Sequence, residues 1–102
     1  MRIATLLLPT MLLAACGGSQ ADRAVAACAA AVEKKLEGRS FRIDRDEMAR
    51  NAVPDGTDVI HVQASIVFDP DLPREYTQSF DCRARVAGDG AAPDVISLTF
   101  TW

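Results

Sequence analysis

Asp58-Val59-Ile60-His61-Val62-Gln63-Ala64-Ser65-Ile66-Val67-Phe68 is the stretch that decides the fold. Ile60, Val62, Ala64, Ile66 and Phe68 fall on one side of a period-two pattern. Val59, His61, Gln63, Ser65 and Val67 fall on the other. Successive side chains of a strand point to opposite faces, so this alternation predicts a strand with one buried face and one wet face. Pro54-Asp55-Gly56-Thr57 before it reads as a turn, with Pro and Gly in their usual turn roles. After it, Pro70 and Pro73 in the segment 69–75 forbid continued pairing.

Two further strands lie downstream. Tyr76 to Val86 alternates, with Tyr76, Gln78, Phe80, Cys82, Ala84 and Val86 against Thr77, Ser79, Asp81, Arg83 and Arg85. A turn rich in Gly and Ala, Ala87 to Pro93, leads to Asp94 to Trp102. There Ile96, Leu98, Phe100 and Trp102 share one face, and Val95, Ser97, Thr99 and Thr101 the other. Trp102 is expected in the core. A terminal aromatic strand resembles the assembly signal of outer-membrane barrels, but three or four short strands cannot make a barrel of eight.

Upstream, Ala21 to Glu37 reads as a helix rich in Ala, Glu, Lys and Leu. Val25, Cys28, Ala29, Val32 and Leu36 recur at i, i+3, i+4, i+7 and i+11, which makes one apolar stripe. Asp22 suits the positive end of the helix dipole and Gly38 the C-terminal stop. A helix lying on a membrane is the alternative, but this stripe of mainly Ala and Val is too small to hold lipid strongly. Ser40 to Asp46 alternates weakly and suits an edge strand, and residues 46–53 are ambiguous. The expected architecture is α+β: one N-terminal helix packed on an antiparallel meander of three or four strands, with the far face wet.

The N-terminus has a different composition. Arg2 is followed by an apolar run of 11 residues, Ile3 to Leu13, interrupted only by Thr5, Pro9 and Thr10. That is the layout of a secretory signal, and it is too short to span a bilayer. Leu13-Ala14-Ala15-Cys16 resembles the lipobox of bacterial lipoproteins. The resemblance implies a signal peptide over residues 1–15 and cleavage before Cys16. It also implies diacylglycerol on the Cys16 thiol and a second acylation, by palmitate, on the new amino group. An ordinary cleaved signal with an incidental cysteine is the alternative, and Leu13 at −3 fits it poorly. Gly17, in place of an inner-membrane retention Asp, implies the outer membrane, facing the periplasm, in a Gram-negative host. Residues 16–20 form the lipidated cysteine and a short tether, and 21–102 a single domain.

The chain carries three cysteines. An odd count in an exported protein needs an explanation. Lipidation of Cys16 leaves Cys28 and Cys82, one on the helix stripe and one on the apolar strand face. Periodicity therefore places both in one interface, where an oxidising compartment favours a disulfide over two buried thiols. The order Cys28, Val32 and Leu36 on a helix, then Phe80 and Cys82 on the second strand of a hairpin, resembles a group of small bacterial secreted proteins and lipoproteins. These have a helix packed on an antiparallel sheet with one Cys in each. Gly38-Arg39-Ser40 and the Pro70–Pro73 loop depart from the segments common in that group.

The formal charge is −3, or −4 once Arg2 leaves with the signal. That excludes the basic footprint of a nucleic-acid binder, and no polybasic segment addresses anionic lipid. The anchor must be the acyl chains. His61 is the only histidine. On the wet face it meets Asp81 or Arg83 across the hairpin, according to register. Ser65 lies roughly 13 Å along the strand, so no triad follows, and His61 reads as a solvated surface residue. With one His and two paired Cys there is no metal set, although Asp69 and Asp71 around Pro70 leave weak calcium binding conceivable. No cofactor and no catalytic residue is expected. The reading is a lipid-anchored, non-enzymatic interaction module, using the wet face or the 69–75 loop for an envelope protein or glycan. The alternative is a small envelope enzyme or enzyme inhibitor.

Overall fold

The computed structural model describes residues 19–88 and 91–101. Helix α1 (Gln20–Lys35) is followed by strand β1 (Phe41–Ile43), helix α2 (Arg45–Asn51) and strand β2 (Val53–Pro54). Strands β3 (Val59–Phe68), β4 (Tyr76–Arg85) and β5 (Asp94–Thr101) complete the chain. All strand pairs are antiparallel, in the order β1-β3-β4-β5, with β2 also paired to β3. The class is α+β, with α1 on one face of a five-stranded sheet. The expected signal peptide, Cys16 and Trp102 lie outside the described residues.

Helix α1 starts one residue earlier than the composition implies. Ser19 is its N-cap, and the Ser19 hydroxyl accepts from the Asp22 backbone N–H (3.1 Å). Gln20, read as part of the tether, is inside the helix. The helix ends at Lys35 with Leu36 as C-cap, and Gly38 takes φ +89° just beyond it. Only glycine enters that left-handed region without a steric penalty. The buried stripe comprises Val25, Cys28, Ala29, Val32 and Leu36, widened by Ala24.

That stripe meets Ile60, Val62, Ala64, Ile66 and Phe68 of β3, and Phe80, Cys82 and Ala84 of β4. Phe68 and Phe80 are the largest fully buried side chains. Cys28 and Cys82 form a disulfide, with Cα atoms 6.1 Å apart and the two residues 54 positions apart in sequence. It joins the helix to a central strand through the middle of the core.

One face assignment in β5 is reversed. Arg83 pairs with Ser97, but Ala84 pairs with Val95, so Ile96 is an extra residue with no opposite number. Such a bulge breaks the two-residue period. Leu98 and Phe100 keep their core side, whereas Val95 turns in to pack on the core and Ile96 is left 42 % exposed. The segment 46–53, ambiguous by periodicity, holds α2 and begins β2. Asp44 caps α2, its Oδ1 accepting from the backbone N–H of Asp46 (2.9 Å) and Glu47 (3.2 Å). Met48 is the one α2 residue fully buried.

Two tests follow from this packing. Closing a loop of this length adds roughly 2–4 kcal/mol, so the Cys28→Ala, Cys82→Ala double variant should lose about that much unfolding free energy in urea titration. An unchanged midpoint contradicts the bridge's structural role. In β5, Val95→Ser should cost about 1–2 kcal/mol and Ile96→Ser under about 0.5 kcal/mol. An uninterrupted alternation gives the opposite ranking.

Candidate functional site: the solvent face of the sheet

The face away from α1 carries the odd-numbered residues of β3 and β4, from His61 to Val67 and from Thr77 to Arg85. Ser97, Thr99 and Thr101 continue it on β5. Its polar groups gather into two clusters at opposite ends.

The first cluster lies beside the Pro54–Thr57 turn. Arg83 stands directly across from His61, yet the His61 ring bonds diagonally, Nε2 lying 2.7 Å from Asp81 Oδ1. Both side chains are partly buried, 23 % and 31 % exposed. Arg83 instead donates through Nε to Asp55 Oδ2 at 2.7 Å. That hydrogen bond holds the Asp55 carboxyl below the ordinary 3.8 of aspartate; slight desolvation opposes it, and the charges of Arg83 and His61 add to it. Ser65 is not brought to His61. Its hydroxyl donates to Glu47, so the histidine and the serine belong to separate clusters.

The second cluster is built by α2. Glu47 accepts from the Ser65 backbone N–H (3.1 Å) and, through Oε2, from the Ser65 hydroxyl (2.9 Å). Asn51 Nδ2 donates to the Gln63 carbonyl (2.7 Å). These side chains serve the stretch of the β3 edge between β1, which pairs with residues 66–68, and β2, which pairs with 60–61. Helix α2 thus substitutes for a strand there. A shallow, open cavity of about 520 Å³ lies alongside, lined among others by Arg42, Arg45, Glu47, Ser65, Val67 and Thr77. The segment Asp44-x-x-Glu47 carries the signature of a capped helix start, and that signal was available in the sequence.

The 69–75 loop leaves the same end of the sheet. Asp69 and Asp71 both take positive φ (52° and 66°), and Leu72 is half exposed. Asp69 faces Arg74 (3.8 Å), and Glu75 Oε1 accepts from the Asp71 backbone N–H (2.7 Å). At its base the Phe68 and Tyr76 rings stack at 5.1 Å. The Arg39 guanidinium sits 4.4 Å above Phe68 and donates to the Tyr76 hydroxyl (3.1 Å). Among the described residues no group of three His, Cys, Asp or Glu side chains converges as a metal site would require.

Comparison with family models, with curated proteins and with solved structures found no match.

The Asp55–Arg83 pair makes a pH-dependent contribution of definite sign. A carboxyl depressed in the folded chain stabilises it above the unfolded value, and that contribution is lost as pH falls through the lower, folded value. Arg83→Gln should raise the Asp55 pKa toward 3.8 in a carboxyl-carbon NMR titration. An unmoved titration means the pair is not formed in solution.

Proposed function

We propose that this is a small lipid-anchored protein of the cell envelope, serving as an interaction module at the membrane surface. The observation that carries the reading is Leu13-Ala14-Ala15-Cys16 after the apolar run Ile3 to Leu13. The Cys28–Cys82 bridge supports it, because disulfides persist in oxidising compartments and this one accounts for two of the three cysteines without Cys16. Two acyl chains hold a protein stably where one does so only marginally.

On this reading the anchor also orients the domain. Only Gly17 and Gly18 separate Cys16 from the Ser19 cap. Three peptide steps reach about 10 Å at most. The N-terminus of α1 therefore stays near the bilayer. The β4–β5 connection stays with it, because Gln20 Nε2 donates to the Val86 carbonyl (2.7 Å) and Arg23 to those of Ala87 (3.3 Å) and Ala91 (2.6 Å). Sixteen helical residues span about 24 Å, which carries Arg39, Tyr76 and the 69–75 loop to the far end. The exposed Tyr76 and the neighbouring Arg39 are of the residue types that anchor interfaces, and Leu72 adds exposed apolar surface beside them. A partner in the envelope, protein or glycan, meets that end or the solvent face.

Fractionation of cells tests the anchor. The wild-type chain should sediment with membranes and need detergent for release, whereas Cys16→Ser should shift to the soluble envelope fraction. Equal recovery of both in the soluble fraction removes the proposal.

A further inference from the structure

The two edges of the sheet are built differently. The β3 side is closed to another strand. β1 offers three residues, with the charged Arg42 at its centre, and β2 two, one of them Pro54. Between them Glu47 and Asn51 occupy the Ser65 N–H and the Gln63 carbonyl. Short strands, charge, proline and a covering helix are the devices by which sheets block edge pairing.

The β5 side has far less of this. β5 is eight residues long, and no strand lies beyond it among the described residues. From Val95 to Thr101 it contains no charge, no Pro and no Gly. Its one protective feature is the bulge at Ile96, which leaves Ser97–Thr101 regular. Apolar side chains are also left incompletely covered there. Leu98 and Phe100 are only partly buried although they pack on the core, and Ile96 is 42 % exposed.

From these observations we infer that β5 is a docking edge for the β5 strand of a second copy of this chain, joining two sheets antiparallel across a two-fold axis. An edge that adds a strand draws affinity from main-chain hydrogen bonds. Head-to-tail addition would need the β3 side of a neighbour, which is closed. Only like-to-like pairing of β5 remains between copies, and a two-fold pairing closes at two.

The chemistry of the strand is self-compatible. Asp94, its only charged residue, lies at one end and is 4.0 Å from Arg85 of its own chain, so no like charges meet near the axis. With Thr99 on the axis, Ser97 faces Thr101 of the other copy and Leu98 faces Phe100. Thr and Ser pairs across strands are favourable, and the apolar pair falls where the core is thinly covered.

The register also follows from the ladder. In antiparallel pairs the residues that bond one neighbour alternate with those that face the other. On β3, Gln63 and Ser65 turn their backbone groups to the α2 side. Carrying the alternation through the β3–β4 and β4–β5 registers turns Ser97, Thr99 and Thr101 to β4 and Leu98 to the outer edge. A Thr99-centred pairing sets Leu98 and Phe100 as a hydrogen-bonding pair and Thr99 opposite itself as a non-bonded pair. Cα atoms of such a pair lie about 4.5 Å apart, within reach of a disulfide.

The test is directed cross-linking of the whole protein as recovered from cells, in the Cys16 background from detergent extracts of membranes and in the Cys16→Ser background from whichever fraction holds it. The pairing is independent of the anchor, so it should appear in both backgrounds whatever becomes of the lipid reading. Under mild oxidation Thr99→Cys should convert most of the protein to a covalent dimer. Ser97→Cys should not, because the two sulfurs would lie roughly 13 Å apart along the strands. Thr99→Lys places two ammonium groups on the axis at an exposed position, and should weaken the dimer at least tenfold by sedimentation while the chain stays folded by circular dichroism. Monomer in sedimentation with no Thr99→Cys dimer overturns the proposal. So does equal linking at Ser97→Cys, or a Thr99→Cys adduct in cells whose mass belongs to a different protein.

Discussion

The disulfide between Cys28 and Cys82 is the constraint on which the two layers depend. One sulfur belongs to the middle of α1 and the other to β4, which has a strand on each side. Both cysteines are fully buried among Val32, Val62 and Phe80. A core of this size buries a modest share of its chain, and small exported domains use such bridges to limit the unfolded ensemble. With the helix pinned at its centre, its ends acquire fixed addresses. Gln20 and Arg23 sit at the β4–β5 connection, and Arg39, just past the other end, at the base of the 69–75 loop.

The sheet's outer face is thereby left to solvent, and its polar groups satisfy one another locally. Arg83 binds Asp55, His61 binds Asp81, and Glu47 binds Ser65. These pairs brace turns and edges: Asp55 lies in the turn before β3, and Glu47 holds α2 on the β3 edge. Two sheet edges of unequal character result, one filled by side chains of a short helix and the other formed by β5, which carries no charge from Val95 to Thr101 and has no strand beyond it among the described residues.

Much of this was legible in the residues. The alternation of β3 and β4 is long enough to assign every face, and the helix stripe predicts the partner of Cys82 without reference to the bridge. Three features were not legible from periodicity, each for a physical reason. Helix α2 has seven residues and buries only Met48, so no periodic stripe can form over its two turns, and its cap alone marks it. The bulge in β5 inserts one residue and exchanges Val95 for Ile96, because parity carries no warning of an insertion. The bond of His61 depended on hairpin register, which placed Arg83 opposite while the diagonal Asp81 took the ring.

The central claim is that α1 and β4 are covalently joined in the chain as it exists in the cell. Intact-mass spectrometry of the membrane-extracted protein, alkylated without reduction, tests it most directly. No alkylation at Cys28 or Cys82 is expected, two added labels after reduction, and, on the proposed anchoring, an N-terminal mass shift on Cys16 from acylation. Two labels taken up without reduction would contradict it.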